Sequence, residues 1–133
     1  MSCRGRDRLL KKKILVVDDS QPILELASTM LKLLGYEPIK ASSGSAALRA
    51  LAEEKPDLAL LDVILPDMDG FKICRHIRSN ATTAKMPVFM VSAKKTPEDA
   101  ERGFKAGADE YVTKPFKSAE LAQLIKTYIG KGD

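Results

Sequence analysis

Leu58–Asp62 reads LALLD, and the chain runs on as Val63-Ile64-Leu65-Pro66-Asp67-Met68-Asp69-Gly70. Four apolar residues without polar alternation suit a strand covered on both faces. The run closes on an aspartate, and the Pro-Asp and Asp-Gly pairs beyond it are turn chemistry. A strand buried on both faces belongs inside a parallel sheet with helices on either side.

The flanking sequence repeats the theme. Lys13–Val17 (KILVV) is a β-branched run that stops at Asp18-Asp19, and residues 87–92 (PVFMVS) form another such run. Residues 36–40 and 109–113 make two weaker strands. Helical patterns fill the gaps. Ser20 caps a helix with an expected apolar face of Ile23, Ala27, Met30 and Leu34, stopped by Gly35. Ser43 opens one through Leu48 and Leu51, ending near Lys55-Pro56. Asp69 caps a third on Phe71, Ile73 and Ile77. Thr96-Pro97-Glu98-Asp99 reads as cap, Pro at the first position and acidic first turn, with Ala100 and Phe104 as the stripe and Gly107 as the stop. Ser118 starts the last, on Leu121, Leu124, Ile125 and Tyr128. Five strands alternate with five helices, without repeats or internal linkers.

A chain of 133 residues, 44% of them hydrophobic, suits one domain with a real core. We divide it into a basic tail, residues 1–12, and a folded unit, residues 13–130. The net charge of +4 belongs to the tail. Residues 1–13 carry six Lys/Arg against one Asp, and the remainder sixteen against seventeen Asp/Glu. A nucleic-acid-binding domain would need its basic face on the folded part, so no direct nucleic-acid partner is expected. No apolar run approaches the roughly 18 residues of a membrane span, and no apolar signal core follows the basic start. Cys3 and Cys74 lack ligand or disulfide spacing, which fits a reducing cytoplasm. His76 has no partner spacing and reads as surface.

In an open parallel sheet, chemistry collects beyond the carboxyl ends of the strands. Asp18 and Asp19 follow the first strand, Asp62 ends the third, Ser92 ends the fourth and Lys114-Pro115 follows the fifth. Taken singly, each is ordinary turn or cap chemistry. Together they gather three carboxylates, which a hard cation with oxygen ligands would relieve; Mg2+ suits carboxylates plus carbonyl and water. An ammonium and a hydroxyl beside one carboxylate make a site suited to phosphoryl transfer.

The segments ILVVDDS, LALLDVILPDMDG, PVFMVSA and GADEYVTKPF resemble receiver domains of two-component response regulators, over about residues 13–129, and are similar to the chemotaxis-type single-domain regulators. The resemblance implies a flavodoxin-like doubly wound five-stranded parallel sheet, order 2-1-3-4-5, with five helices. It implies that Asp62 accepts phosphate from a phosphohistidine on a sensor histidine kinase or phosphotransfer protein. Asp19, Asp62 and the Ile64 backbone carbonyl would ligate Mg2+, with Asp18 acting mainly through water. Lys114 would pair with the phosphoryl group next to a cis Lys114–Pro115 bond. Ser92 and Tyr111 match the family's switch pair, whose readout face is the fourth helix, fifth strand and fifth helix. That face would meet a downstream effector or a covalently linked output domain, or a second copy in the active state. Ile64 and Lys94 would flank the approach of hydrolytic water, and Phe116 would pack beside the Lys-Pro.

Two rival readings stand. An aspartate-nucleophile phosphohydrolase also uses carboxylates, Mg2+ and Lys at strand ends. Its nucleophile sits on the first strand with a second Asp two residues on, whereas Asp18 and Asp19 are adjacent. A phosphorylation-independent scaffold would carry a degenerate site, and this set is complete. Turnover of external substrate is not expected. The sequence leaves open which kinase and output are involved, and whether the chain stands alone or belongs to a longer regulator or hybrid kinase.

Overall fold

The computed structural model describes residues 11–93, 96–115 and 117–130. Its elements are β1 (Lys13–Val17), α1 (Gln21–Leu33), β2 (Glu37–Ala41), α2 (Gly44–Glu54), β3 (Leu58–Asp62), α3 (Gly70–Ser79), β4 (Val88–Ser92), α4 (Pro97–Ala106), β5 (Glu110–Thr113) and α5 (Ser118–Ile129). The strands form one parallel sheet in the order β2-β1-β3-β4-β5. This is the doubly wound α/β arrangement the sequence implied. The outer strand bounds shift inward or along by one residue, as strand ends commonly do.

Every residue of β3 and β4 is buried, so their continuous apolar runs are explained by cover on both faces. Alternate residues feed two cores, following the period-2 geometry of a strand. Leu15, Val17, Leu61 and Met90 pack with α2, α3 and Ala106 of α4. Ile14, Val16, Leu60 and Phe89 pack with Leu24 and Leu31 of α1 and Leu121 and Ile125 of α5.

Two helix faces differ from the sequence reading. In α1 the buried residues are Leu24, Ala27, Ser28 and Leu31, while Ile23, Met30 and Leu34 are half-buried at the rim. The helix is apolar over a wide arc, so two stripes one position apart both satisfy helical spacing. Ser28, a polar residue on the true inner face, disguises it. In α4 the buried residues are Gly103 and Ala106, and Phe104 is 51% exposed. Small side chains face the sheet there because α4 lies close. A Cβ at Gly103 would sit 3.3 Å from Tyr111 Cδ2 and 3.4 Å from Met90 Cγ. On α5, Leu121 and Ile125 are buried as expected. Tyr128 instead stands edge-on to Phe89 and donates its hydroxyl to Glu110 Oε2 at 2.7 Å.

The Ser28 hydroxyl is buried without a hydrogen-bond partner among the described residues. A buried hydroxyl that has lost water and gained no partner costs stability. Ser28→Ala is expected to raise the unfolding free energy by about 1 kcal/mol. Urea unfolding measures it, as a higher midpoint at unchanged slope. An unchanged or lower midpoint would mean that the hydroxyl is satisfied.

At the edge of the sheet where β4 and β5 begin, Arg78 ties several segments together. Its guanidinium donates to the carbonyls of Gly107 (2.8 Å), Ala84 (3.2 Å) and Met86 (2.5 Å) and pairs with Asp109 at 2.9 Å. The opposite edge is left for chemistry.

Candidate functional site

Four strands deliver the candidate residues to one edge. Asp18 follows β1, and its amide donates to the Ala41 carbonyl at 3.1 Å, which fixes it against the end of β2. Its Oδ1 accepts from the Ser20 amide at 2.9 Å, so the turn into α1 is closed by Asp18, and Ser20 makes no side-chain cap bond. Its Oδ2 accepts from Lys114 Nζ at 2.5 Å. Asp62 is the last residue of the buried central strand. Lys114 leaves β5 with its amide donating to the Ser92 carbonyl at 2.8 Å, which joins the exits of β4 and β5. Its Nζ stands 3.5 Å from Asp62 Oδ2. The Lys114–Pro115 bond is cis, as the resemblance implied.

Carboxylate oxygens of Asp18, Asp19 and Asp62 lie within 4.8 Å of one another. Asp18 and Asp62 are buried, Asp19 exposed. Among the described residues, the Lys114 ammonium pairs with two of these carboxylates, Asp18 and Asp62. Burial, and then the charge of Asp18, push the Asp62 carboxyl above its ordinary value, partly offset by Lys114 and by the Ile64 amide. Oxygen-only donors, excess negative charge and one solvent-facing member fit a hard divalent cation such as Mg2+. Asp18, Asp19 and Asp62 are the side chains that would hold it.

Ser92 is buried, and Tyr111 is half-buried on the neighbouring strand, level with Met90. Its ring edge lies against α4 at Gly103. A cavity beside the acid cluster is lined by Ile64, Met68, Ser92, Asp99 and Arg102. The Ile64 side chain, one of these lining residues, is 61% exposed. Lys94, Phe116, Cys3 and residues 1–10 lie outside the described residues. Cys74 is buried, with its thiol pushed up by burial, which makes it a packing residue. His76 is exposed on α3.

Two residues near the site were read from sequence only as turn chemistry. A Cβ at Gly70 would lie 2.2 Å from the Asp62 carbonyl oxygen, so only glycine lets α3 start this close to Asp62. Asp67 reaches out of the loop after β3 to accept from the Gly44 and Ser45 amides at 2.7 and 2.9 Å. The signal for it was in α2, whose first turn has no acid of its own.

A doubly wound flavodoxin-like sheet with an acid trio, a lysine and a hydroxyl at its carboxyl edge defines a class of signalling modules. Residues 14–126 match the response regulator receiver domain, and the chain belongs to that family of two-component systems. It is 43% identical over 129 residues to the transcriptional regulatory protein GltR of Pseudomonas aeruginosa, covering 97% of this chain and 51% of that one. The chain thus spans about half the length of this curated relative. The chemotaxis protein CheY4 of Vibrio cholerae superposes with a TM-score of 0.85 at 29% identity, covering 90% of this chain and 99% of that one. A CheY-like receiver domain protein from Methanospirillum hungatei superposes with 0.82 at 32% identity, covering 88% and 92%. No helix among the described residues is long and apolar enough to cross a membrane.

Proposed function

We propose that residues 13–130 form a phosphorylation-operated switch in which Asp62 takes a phosphoryl group from a partner kinase's phosphohistidine. The observation that carries this reading is the Lys114 ammonium set between Asp18 (2.5 Å) and Asp62 (3.5 Å) at the end of the central strand. An Asp62 oxygen forms the new bond to phosphorus as the bond from phosphorus to the donor nitrogen breaks. Lys114 shifts from a carboxylate to a phosphoryl oxygen as charge builds there. Mg2+, held by Asp19, Asp62 and the Ile64 carbonyl with Asp18 through water, would supply positive charge for the phosphoryl oxygens. Burial of Asp62 keeps competing water low.

Phosphate biases a two-state equilibrium only by its different interaction with the two states. Ser92 moving onto the phosphoryl group and Tyr111 turning inward supply that difference, and α4, β5 and α5 carry it to a partner. The partner is an effector protein, an attached output domain or a second copy. A transcriptional output is suggested by the name of the Pseudomonas relative. The setting is a reducing cytoplasm. The domain assists its own phosphorylation and dephosphorylation without turning over external substrate. Acetyl phosphate with Mg2+ should label the chain stoichiometrically, and Mg2+-dependent labelling without turnover distinguishes this from a phosphohydrolase. Sustained turnover of a phosphomonoester would overturn it.

The phosphorylated state is expected to be long-lived. Ile64, two residues past Asp62, is exposed and lines the cavity that also holds Ser92, and its apolar side chain would crowd water and cannot orient it. Lys94 has donors but no acceptor for a water proton. Ile64→Asn combined with Lys94→Glu should speed phosphate loss by about tenfold, the modest end for positioned proton-transfer groups. Phosphate release after rapid donor removal at fixed Mg2+ measures it. Equal rates would rule out these side chains as the brake.

A further inference from the structure

The loop from Val63 to Asp69 is fastened at both ends. At its base the Gly70 amide donates to the Val63 carbonyl at 2.8 Å, and Ile64 bridges Asp69 in antiparallel fashion. Asp69 caps α3 through the Lys72 amide at 2.8 Å. At its tip Asp67 leaves its own element and binds the first two amides of α2, one through each carboxylate oxygen. Those amides have no partner inside their helix, and Ser43 Oγ takes only the next, from Ala46 at 3.2 Å. Beside this bridge the Met68 side chain fills the space a Gly44 side chain would need, 2.2 Å from where its Cβ would sit. The first turn of α2 is thus built to receive the loop, with glycine for Met68 and bare amides for Asp67. The contact is charge-assisted, and the two amides hold the Asp67 carboxyl below its ordinary value.

The base of that loop is where the chemistry needs accuracy. Ile64 stands two residues past Asp62 and is bridged to Asp69, and its carbonyl is the backbone ligand proposed for Mg2+. We infer that Asp67 is a positioning residue, which ties the loop to α2 and so fixes the Ile64 peptide for the acceptor carboxylate and the cation. The inference rests on reading the Asp62 site as a Mg2+-assisted phosphoacceptor. A loop fixed only at its base can rock about residues 63 and 70. The anchor at Asp67 removes that freedom without touching phosphate or metal. Outer-shell groups of this kind set ligand geometry.

The test compares Asp67→Ala, Asp67→Asn and Ser43→Ala in the full chain. Ser43→Ala removes a cap from the same turn of α2 and leaves the loop anchored, so it controls for helix stability. Mg2+ affinity is measured by calorimetry without phosphodonor, and amide hydrogen exchange of residues 63–70 is measured without metal. Asp67→Ala should weaken Mg2+ binding by about tenfold and speed exchange at Ile64. Asp67→Asn keeps one acceptor oxygen and should fall between. Ser43→Ala should change neither. Equal Mg2+ affinity in Asp67→Ala and the parent would overturn the inference, as would an equal loss in Ser43→Ala. If Asp67→Ala does not fold, Asp67→Asn against Ser43→Ala decides by the same comparison. Absence of Mg2+ binding in the parent would sink the phosphoacceptor reading instead, leaving the exchange measurement to judge the anchor.

Discussion

Asp62→Asn is expected to abolish uptake of phosphate from acetyl phosphate in Mg2+, where the parent chain takes up one phosphoryl group. Three carboxylates stand within 4.8 Å of one another, so the choice of Asp62 over its neighbours needs a reason. Both oxygens of Asp18 are occupied, Oδ1 by the Ser20 amide at 2.9 Å and Oδ2 by Lys114 at 2.5 Å. Both contacts are short and engage both oxygens, so Asp18 is fixed in place with neither oxygen free to turn toward a donor. Asp19 is exposed, where water competes with any donor and stabilises its charge. Asp62 is buried at the strand end, with Lys114 at a looser 3.5 Å from Oδ2. Burial and the charge of Asp18 both raise its pKa, so its ionised form is disfavoured there and the more reactive toward phosphorus. Bonding to phosphorus exchanges the carboxylate charge for the larger charge of the phosphoryl oxygens, which Lys114 and a bound Mg2+ would balance. Asparagine keeps the shape and removes the nucleophile, so the fold should survive. Intact mass measured before and after incubation reads the result. Labelling of Asp62→Asn equal to the parent would place the acceptor elsewhere, with Asp19 the next candidate.

The sequence showed the strands and the site edge clearly for one physical reason. Strands buried on both faces, such as Leu58–Asp62 and Val88–Ser92, leave unbroken apolar runs, and parallel order then sends Asp18, Asp62, Ser92 and Lys114 to a common edge. The helix faces were less legible. On α1 the apolar residues cover so wide an arc that spacing does not choose between Leu24–Leu31 and the neighbouring stripe, and buried Ser28 argues for the wrong one. On α4 the inner face is marked by Gly103 and Ala106, residues too small to register as an apolar stripe, while exposed Phe104 registers strongly. The bond from Asp67 to α2 joins residues more than twenty positions apart. Local turn rules account for an aspartate after proline so readily that no local pattern separates the anchor from a turn residue.

Asp19→Ala should have opposite effects on stability with and without Mg2+. In the metal-free protein Asp19 adds a third negative charge to a cluster that, among the described residues, pairs with one lysine, Lys114, and removing it relieves repulsion. The melting temperature without metal should therefore rise. With Mg2+ the order reverses. Asp18 is committed to Ser20 and Lys114, so Asp19 and Asp62 are the carboxylates able to face a cation directly, and losing one of two should weaken binding by about a hundredfold, the upper end even for indirect partners. A ligand at 100 times its Kd stabilises the folded state by about 2.7 kcal/mol. At that Mg2+ concentration for the parent, the variant should gain only a fraction of it. The pH dependence has a definite sign. Folded Asp62 holds its proton more tightly than the unfolded chain does, because its pKa is raised. Metal-free stability should therefore decline as pH rises from the ordinary aspartate range through the raised value. Mg2+ favours the ionised form, so its stabilising effect should grow over the same interval. Melting curves of parent and Asp19→Ala, with EDTA and with saturating Mg2+, at several pH values, make the comparison. Equal Mg2+ stabilisation of the two proteins would remove Asp19 from the ligand set. A variant that is less stable in EDTA would show that Asp19 holds the fold together and does not strain it.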